Sequence, residues 1–264
     1  MFSKIAKLFQ IAELRKRLLY TLGLLAVYRI GIFVTSPGID RAVISELLNA
    51  QSGAGGGFLN LFNFFSGGAL ENASVFALGV MPYITSSIIF SVMAVVIPSI
   101  QRLQKEGEQG RKKINQYTRY GTILVASIHG VMIANYLKSQ SHNGVGVVNA
   151  DWASAWGGFG FVIITVITLT AGTAFIMWLG EKITERGIGN GVSLIIFAGI
   201  VARLPKAIYA TLLGVKNGTY QPVEILILGC VILAVLAGIV FVEKGEKLSS
   251  LFFLLFIRNQ TRLC

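Results

Sequence analysis

FLNLFNFFSGGAL, residues 58–70, is the stretch on which the fold turns. It is apolar but falls short of the roughly 20 residues a helix needs to cross a bilayer. Gly67-Gly68 also break it. Two physical options remain, a re-entrant segment and a helix lying in the interface. Irregular backbone at membrane depth is tolerated only where protein buries it or where it lines a cavity.

The chain around this stretch reads as a membrane protein. It is 54% hydrophobic and 13% charged, against about 25% charged in an average soluble domain. Its apolar residues are gathered into blocks long enough to cross a core of about 30 Å. The expected class is all-α: a polytopic transmembrane helical bundle with six spans, near 18–35, 73–97, 120–137, 158–180, 192–213 and 223–242, plus the half-helix 58–70. Arg29 in the first span either snorkels to an interface or finds a partner inside the bundle. Pro37-Gly38 stops that span, and residues 36–57 are polar and Gly-rich. In the second span Asn72 or Ser74 is expected to cap the start and Pro82 to kink the helix. Residues 98–119 read as a polar loop with six basic and two acidic residues.

A net charge of +11 invites a nucleic-acid reading, but the basic residues flank apolar blocks, where they report orientation. If 58–70 does not cross, the segments 1–17, 98–119, 181–191 and 243–264 share one side and hold 17 of the 23 lysines and arginines. The other side holds Arg41, Lys138, Lys206 and Lys216, with Arg203 near a helix end. This bias places both chain ends in the cytoplasm. Residues 1–17 set Ile5, Leu8, Phe9 and Ala12 at helical spacing among Lys4, Lys7, Arg15, Lys16 and Arg17. They form either a cytoplasmic amphipathic helix on the membrane surface or an ordinary positive flank to an uncleaved first span.

Catalytic and cofactor signatures are missing from the sequence. His129 and His142 are isolated, with no HExxH and no cysteine pair, so neither metal nor catalytic residues are expected. Gly187-Ile-Gly-Asn-Gly191 follows a span rather than a strand and reads as a tight turn, not a phosphate cradle. Cys230 lies inside an apolar block and Cys264 at the end, so a disulfide is not expected. Asn-X-Ser/Thr matches at Asn72, Asn217 and Asn259 are read as chance.

Five segments in order carry a family resemblance: YRIGIFVTSPGID (28–40), FNFFSGGAL (62–70), FALGVMPYITSSII (76–89), KEGEQGRKKINQYTRYGT (105–122) and TERGIGNG (184–191). Together they resemble the first half of SecY-type protein-conducting channels, over about residues 10–247. The resemblance implies a passive conduit, not an enzyme, for secretory and membrane polypeptides. It implies a plug at Phe62, Asn63, Phe64, Phe65, Ser66, Gly67 and Gly68. It implies a pore ring at Val80, Ile84, Val192 and Ile196, positions that residue pattern alone reads as lipid-facing or packing. Spans two and three would border the lateral gate. Lys105, Arg111, Lys112, Lys113 and Arg119 would form a docking surface for the ribosome or the SecA motor, or only enforce topology. Small SecE- and SecG-like subunits and anionic lipids are the further implied partners, no cofactor is implied, and the implied location is a bacterial-type inner membrane.

After Val242–Lys247 the family pattern stops, and the tail LSSLFFLLFIRNQTRLC departs from it. The family has two five-span halves. The expectation is therefore a truncated or frameshifted chain that inserts but does not restore secretion alone. Two readings compete: a secondary transporter with a broken helix at 58–70 and polar residues Thr85, Ser86 and Ser87 at mid-depth, and an inert fragment of a disrupted gene. Topology reporters fused just before and just after 58–70 should report the same face of the membrane. Opposite faces would make the stretch a full crossing.

Overall fold

The computed structural model describes residues 11–50, 63–142, 145–149, 151–152, 158–218 and 221–260. The plug positions 58–62, including Phe62, residues 1–10 and Cys264 lie outside them. The chain falls into two compact units, Met1–Leu204 and Pro205–Cys264.

The first unit is built from α1 (Ala12–Gly31), α2 (Arg41–Ala50), α3 (Met81–Val96), α4 (Pro98–Lys105), α5 (Glu108–Ser139), α6 (Phe159–Arg186) and α7 (Gly191–Val201). A two-residue hairpin, β1 (Ser141–His142) with β2 (Val145–Gly146), follows α5 and is the one departure from an all-helical description among these elements. In the second unit lie α8 (Leu204–Lys216), whose first residue ends unit one, and α9 (Pro222–Gln260).

Helix α6 is the hub of the first unit, packing on α5, α7, α1 and α3. Close approach is set by small residues. Thr118, Thr122, Ala126, Gly130 and Ala134 recur every fourth position along α5 and are all buried, forming the small-residue seam by which membrane helices pack. A Cβ at Gly130 would lie 3.3 Å from the Val166 backbone. At Gly172 it would lie 2.1 Å from the Val75 carbonyl oxygen. The Ser86 hydroxyl donates to the Thr118 carbonyl at 2.9 Å and ties α3 to α5.

Several sequence expectations are corrected. The second span does not begin near residue 73. Residues 66–80 are a series of turns, and α3 starts only at Met81. Pro82 occupies the first turn of α3 rather than kinking a longer helix, because proline lacks the N–H that a first turn leaves unused. Neither Asn72 nor Ser74 caps it: Asn72 donates to the Gly68 carbonyl and Ser74 to the Gly31 carbonyl. The sharp bend, 99°, falls instead between α3 and α4 at Pro98. Residues 98–119 are largely helical, not a loop, since α4 and the first turns of α5 carry their charges. Helix α1 is continuous from Ala12 to Gly31, and α9 from Pro222 to Gln260.

Four helical stretches are long and apolar enough to cross a membrane: Glu108–Ser139, Phe159–Arg186, Gly191–Lys216 and Val223–Gly245, or five with the bent pair α3–α4. The expected six would need α1, whose 20 residues include Glu13, Arg15, Lys16, Arg17 and Arg29. The turn between α6 and α7 is as expected, with Gly189 at φ +72°. Asn190 caps α7 by accepting from Val192 N (3.1 Å) and Ser193 N (3.3 Å). Cys230 is a free thiol.

Gly172→Ala should destabilise the fold by about 1–3 kcal/mol through overpacking, and Asn190→Ala by about 1 kcal/mol through loss of the cap. Gly23→Ala, which meets nothing within 4 Å, should not lower stability. Unfolding midpoints in mixed detergent micelles titrated with SDS check all three.

Candidate functional site

The expected plug residues form a tight turn. Residues 63–65 make a single helical turn and the chain then reverses through Gly67 (φ +67°) and Gly68 (φ +90°), conformations open to glycine. The Gly68 N–H closes the turn on the Asn63 carbonyl at 2.9 Å. Asn63, Ser66, Gly67 and Gly68 are buried, Phe65 is half-buried, and Phe64 is 46% exposed. A Cβ on Gly67 would lie 2.8 Å from the Gly199 Cα in α7, so two glycine backbones meet there.

Side chains from α1 and from just beyond α7 hold this turn. Arg29 Nη1 donates to the Gly67 carbonyl at 3.1 Å, which settles its two readings in favour of a partner inside the bundle. Tyr28 Oη donates to the Ser66 carbonyl at 3.3 Å. Arg203 Nη1 donates to the Asn63 carbonyl at 3.1 Å, and its Nη2 pairs with Glu71 Oε2 at 2.8 Å. Sequence reasoning passed over Tyr28, Glu71 and Gly199, and placed Arg203 only near a helix end. The available signal was a charge beside or within an apolar stretch, Glu71 after the short one and Arg203 inside the expected fifth span.

The four positions expected to form a ring share one apolar cluster. Val80 is buried beside Ala69, Phe76, Ile176 and Ile195, and Ile84, Val192 and Ile196 pack against the same cluster. Three of them, Ile84, Val192 and Ile196, line an open cleft of about 500 Å³. Val80 does not: it precedes the first residue of α3 and accepts the Ile84 N–H at 3.1 Å. The polar side of the cleft is made by Asn115, Glu181, Asn190 and Ser193 with Arg119, whose Nε meets Glu181 Oε1 at 2.6 Å. Along the chain from α7 onward the order is therefore cleft (Asn190, Val192, Ser193, Ile196), contact with the turn (Gly199), and ion pair (Arg203). The 11 residues of α7 rise about 16 Å.

Lys105, Arg111, Lys112 and Lys113 are exposed on α4 and the start of α5, with Lys113 3.9 Å from Glu106. Arg119 stands apart from them, committed to Glu181 at the cleft. Among the described residues no group of three His, Cys, Asp or Glu side chains is placed to hold a metal. Thr85 and Ser86 spend their hydroxyls on the Met81 and Thr118 carbonyls, while Ser87 lines the cleft.

The family model described as SecY matches residues 74–247. The chain is 47% identical over 237 residues to the protein translocase subunit SecY of Escherichia coli K12, covering 90% of this chain and 51% of that one. It is 43% identical over 242 residues to the protein of the same name from Aquifex aeolicus, covering 91% and 54%. The fold resembles a solved protein-conducting channel (TM-score 0.55, 14% identity, 79% of this chain and 43% of that one). It also resembles Sec61 in the canine ribosome-channel complex from the endoplasmic reticulum (TM-score 0.54, 15% identity, 79% and 43%). The chain spans about half the length of the curated relatives it matches. With the family model matched over more than half of its residues and near relatives aligned over nine-tenths of it, this multi-pass membrane chain belongs to the SecY family.

Proposed function

We propose that this segment forms one wall of a protein-conducting channel, a passive conduit through which secretory polypeptides cross the bilayer and membrane proteins enter it. The observation that carries the reading is the order along α7: an open cleft lined by Val192 and Ile196, together with Ile84 of α3, then a backbone turn at 63–68 packed against Gly199. Bulky apolar side chains at a constriction disfavour water and ions, and the turn beyond them is the plug. A second wall, supplied by the remainder of a full-length chain, completes the ring and faces α3 and α5 across a lateral gate.

In this reading the channel sits in a bacterial-type inner membrane with its N-terminus in the cytoplasm, as the basic-residue bias requires. Lys105, Arg111, Lys112 and Lys113 then face the cytoplasm as a positive surface that attracts the ribosome or a SecA-like motor. Arg119, neutralised by Glu181, braces the cleft rather than docking. SecE- and SecG-like subunits cover lipid-facing helix surfaces. The transporter alternative asks for free polar groups at mid-depth; the hydroxyls of Thr85 and Ser86 donate to backbone carbonyls, which leaves it Ser87, on the cleft, of the three named.

A photocrosslinker at Ile84, in a full-length family member carrying this segment, should capture a stalled nascent polypeptide. The same probe at Val95, which is 77% exposed on α3, should capture lipid instead. Equal yields at both positions, or none at Ile84, would remove the conduit reading.

A further inference from the structure

Where the turn at 63–68 meets α7, two glycine backbones approach closely, Gly67 against Gly199, and Phe64 is 46% exposed. Ala69 and Leu70, which follow, are buried in the apolar clusters. Polar ties add to this packing. Arg203 forks between the Asn63 carbonyl (3.1 Å) and the Glu71 carboxylate (2.8 Å). The Glu71 N–H in turn donates to Asn63 Oδ1 at 3.1 Å. The three residues thus close a ring that gathers both ends of the turn onto one guanidinium. From the other side, Arg29 reaches the middle of the turn at the Gly67 carbonyl, and its guanidinium carbon lies 5.8 Å from the centre of the Phe33 ring. The Arg203 and Glu71 side chains are 28% and 23% exposed, which shields the pair from much of the screening that weakens surface ion pairs. A planar fork that serves two acceptors at once is a geometry arginine supplies and lysine does not.

We propose that the Arg203–Glu71 pair, seconded by Arg29 on Gly67, is an electrostatic latch that holds the 63–71 turn in its seat. Withdrawing the one guanidinium of Arg203 then releases the Asn63 and Glu71 ends of the turn together, so opening is governed by a discrete event rather than by gradual loss of contact. That this opening admits a polypeptide rests on the channel reading above; the existence of the latch does not.

The test is amide hydrogen exchange on this chain in lipid nanodiscs, read at Gly67 and Gly68, whose N–H groups bond to the Phe64 and Asn63 carbonyls at 3.2 and 2.9 Å. Glu71→Gln and Arg203→Gln should each speed exchange by about ten-fold, the scale of one charge-assisted hydrogen bond. Because the pair is a single interaction, the double variant should exchange no faster than Arg203→Gln alone. Arg203→Lys, which keeps the charge and loses the fork, should fall between wild type and Arg203→Gln. Arg29→Gln combined with Arg203→Gln should add its own increment. Unchanged exchange at Gly130, within the α5 seam, shows that each variant is folded. Wild-type rates at Gly67 and Gly68 in the single variants, or a Glu71→Gln and Arg203→Gln pair that multiplies to about a hundred-fold, would overturn the latch. Failure of the Ile84 crosslink with the exchange result intact would remove the conduit and leave the latch.

Discussion

Backbone hydrogen bonding in the non-helical stretch 66–80 is the constraint from which the rest of the structure follows. A helix satisfies its own amides, whereas a run of turns among membrane helices must find partners in the protein, because hydrocarbon offers none. The chain meets this demand residue by residue. Ser36 N–H reaches the Ala73 carbonyl at 2.7 Å and Val75 N–H reaches Val34 at 3.0 Å. Ser74 joins a bridge to Thr35 and its hydroxyl caps the end of α1 at Gly31. Even Ala73, at φ +50°, is held in a backbone conformation that alanine rarely takes.

Small side chains make those partners reachable. The seam of threonine, alanine and glycine along α5 brings α6 close, and Gly172 lets α6 press against the Val75 carbonyl. Gly67 and Gly199 do the same where the turn meets α7. Tight packing and irregular backbone are thus parts of one arrangement: the helices approach closely because some of them must serve as hydrogen-bond partners for a segment that is not a helix. The structural consequence is an open cleft lined by Ile84, Val192 and Ile196, with a short turn held by polar contacts to Tyr28, Arg29 and Arg203.

Much of this was legible in the sequence, for physical reasons that differ by element. The long apolar blocks of α6 and α9 announce themselves by length alone. The break at Gly67-Gly68 was readable because those residues permit backbone that others resist. Pro82 misled, since proline suits a helix start as well as a kink and only the surrounding turns decide between them. The charged stretch 98–119 looked like loop because its charges outnumber its apolar residues, and the apolar face of α4, Ile100 and Leu103, is a single helical turn long. Ring positions Val80, Ile84, Val192 and Ile196 came from family resemblance, because an apolar side chain facing a cleft and one facing lipid are the same letter. The Arg203–Glu71 pair joins residues 132 apart, and no local pattern foretells such a contact.

The most direct test of the account is thiol accessibility from the two faces of the membrane. With Cys230 and Cys264 replaced, single cysteines are placed at Ser193, exposed on the cleft, and at Phe64, exposed on the turn, and each is treated with a membrane-impermeant maleimide in vesicles of defined orientation. The two positions should label from opposite faces, and neither should label from both. Labelling of both from the same face would mean that the turn does not stand between the cleft and the far side, and the account would be wrong.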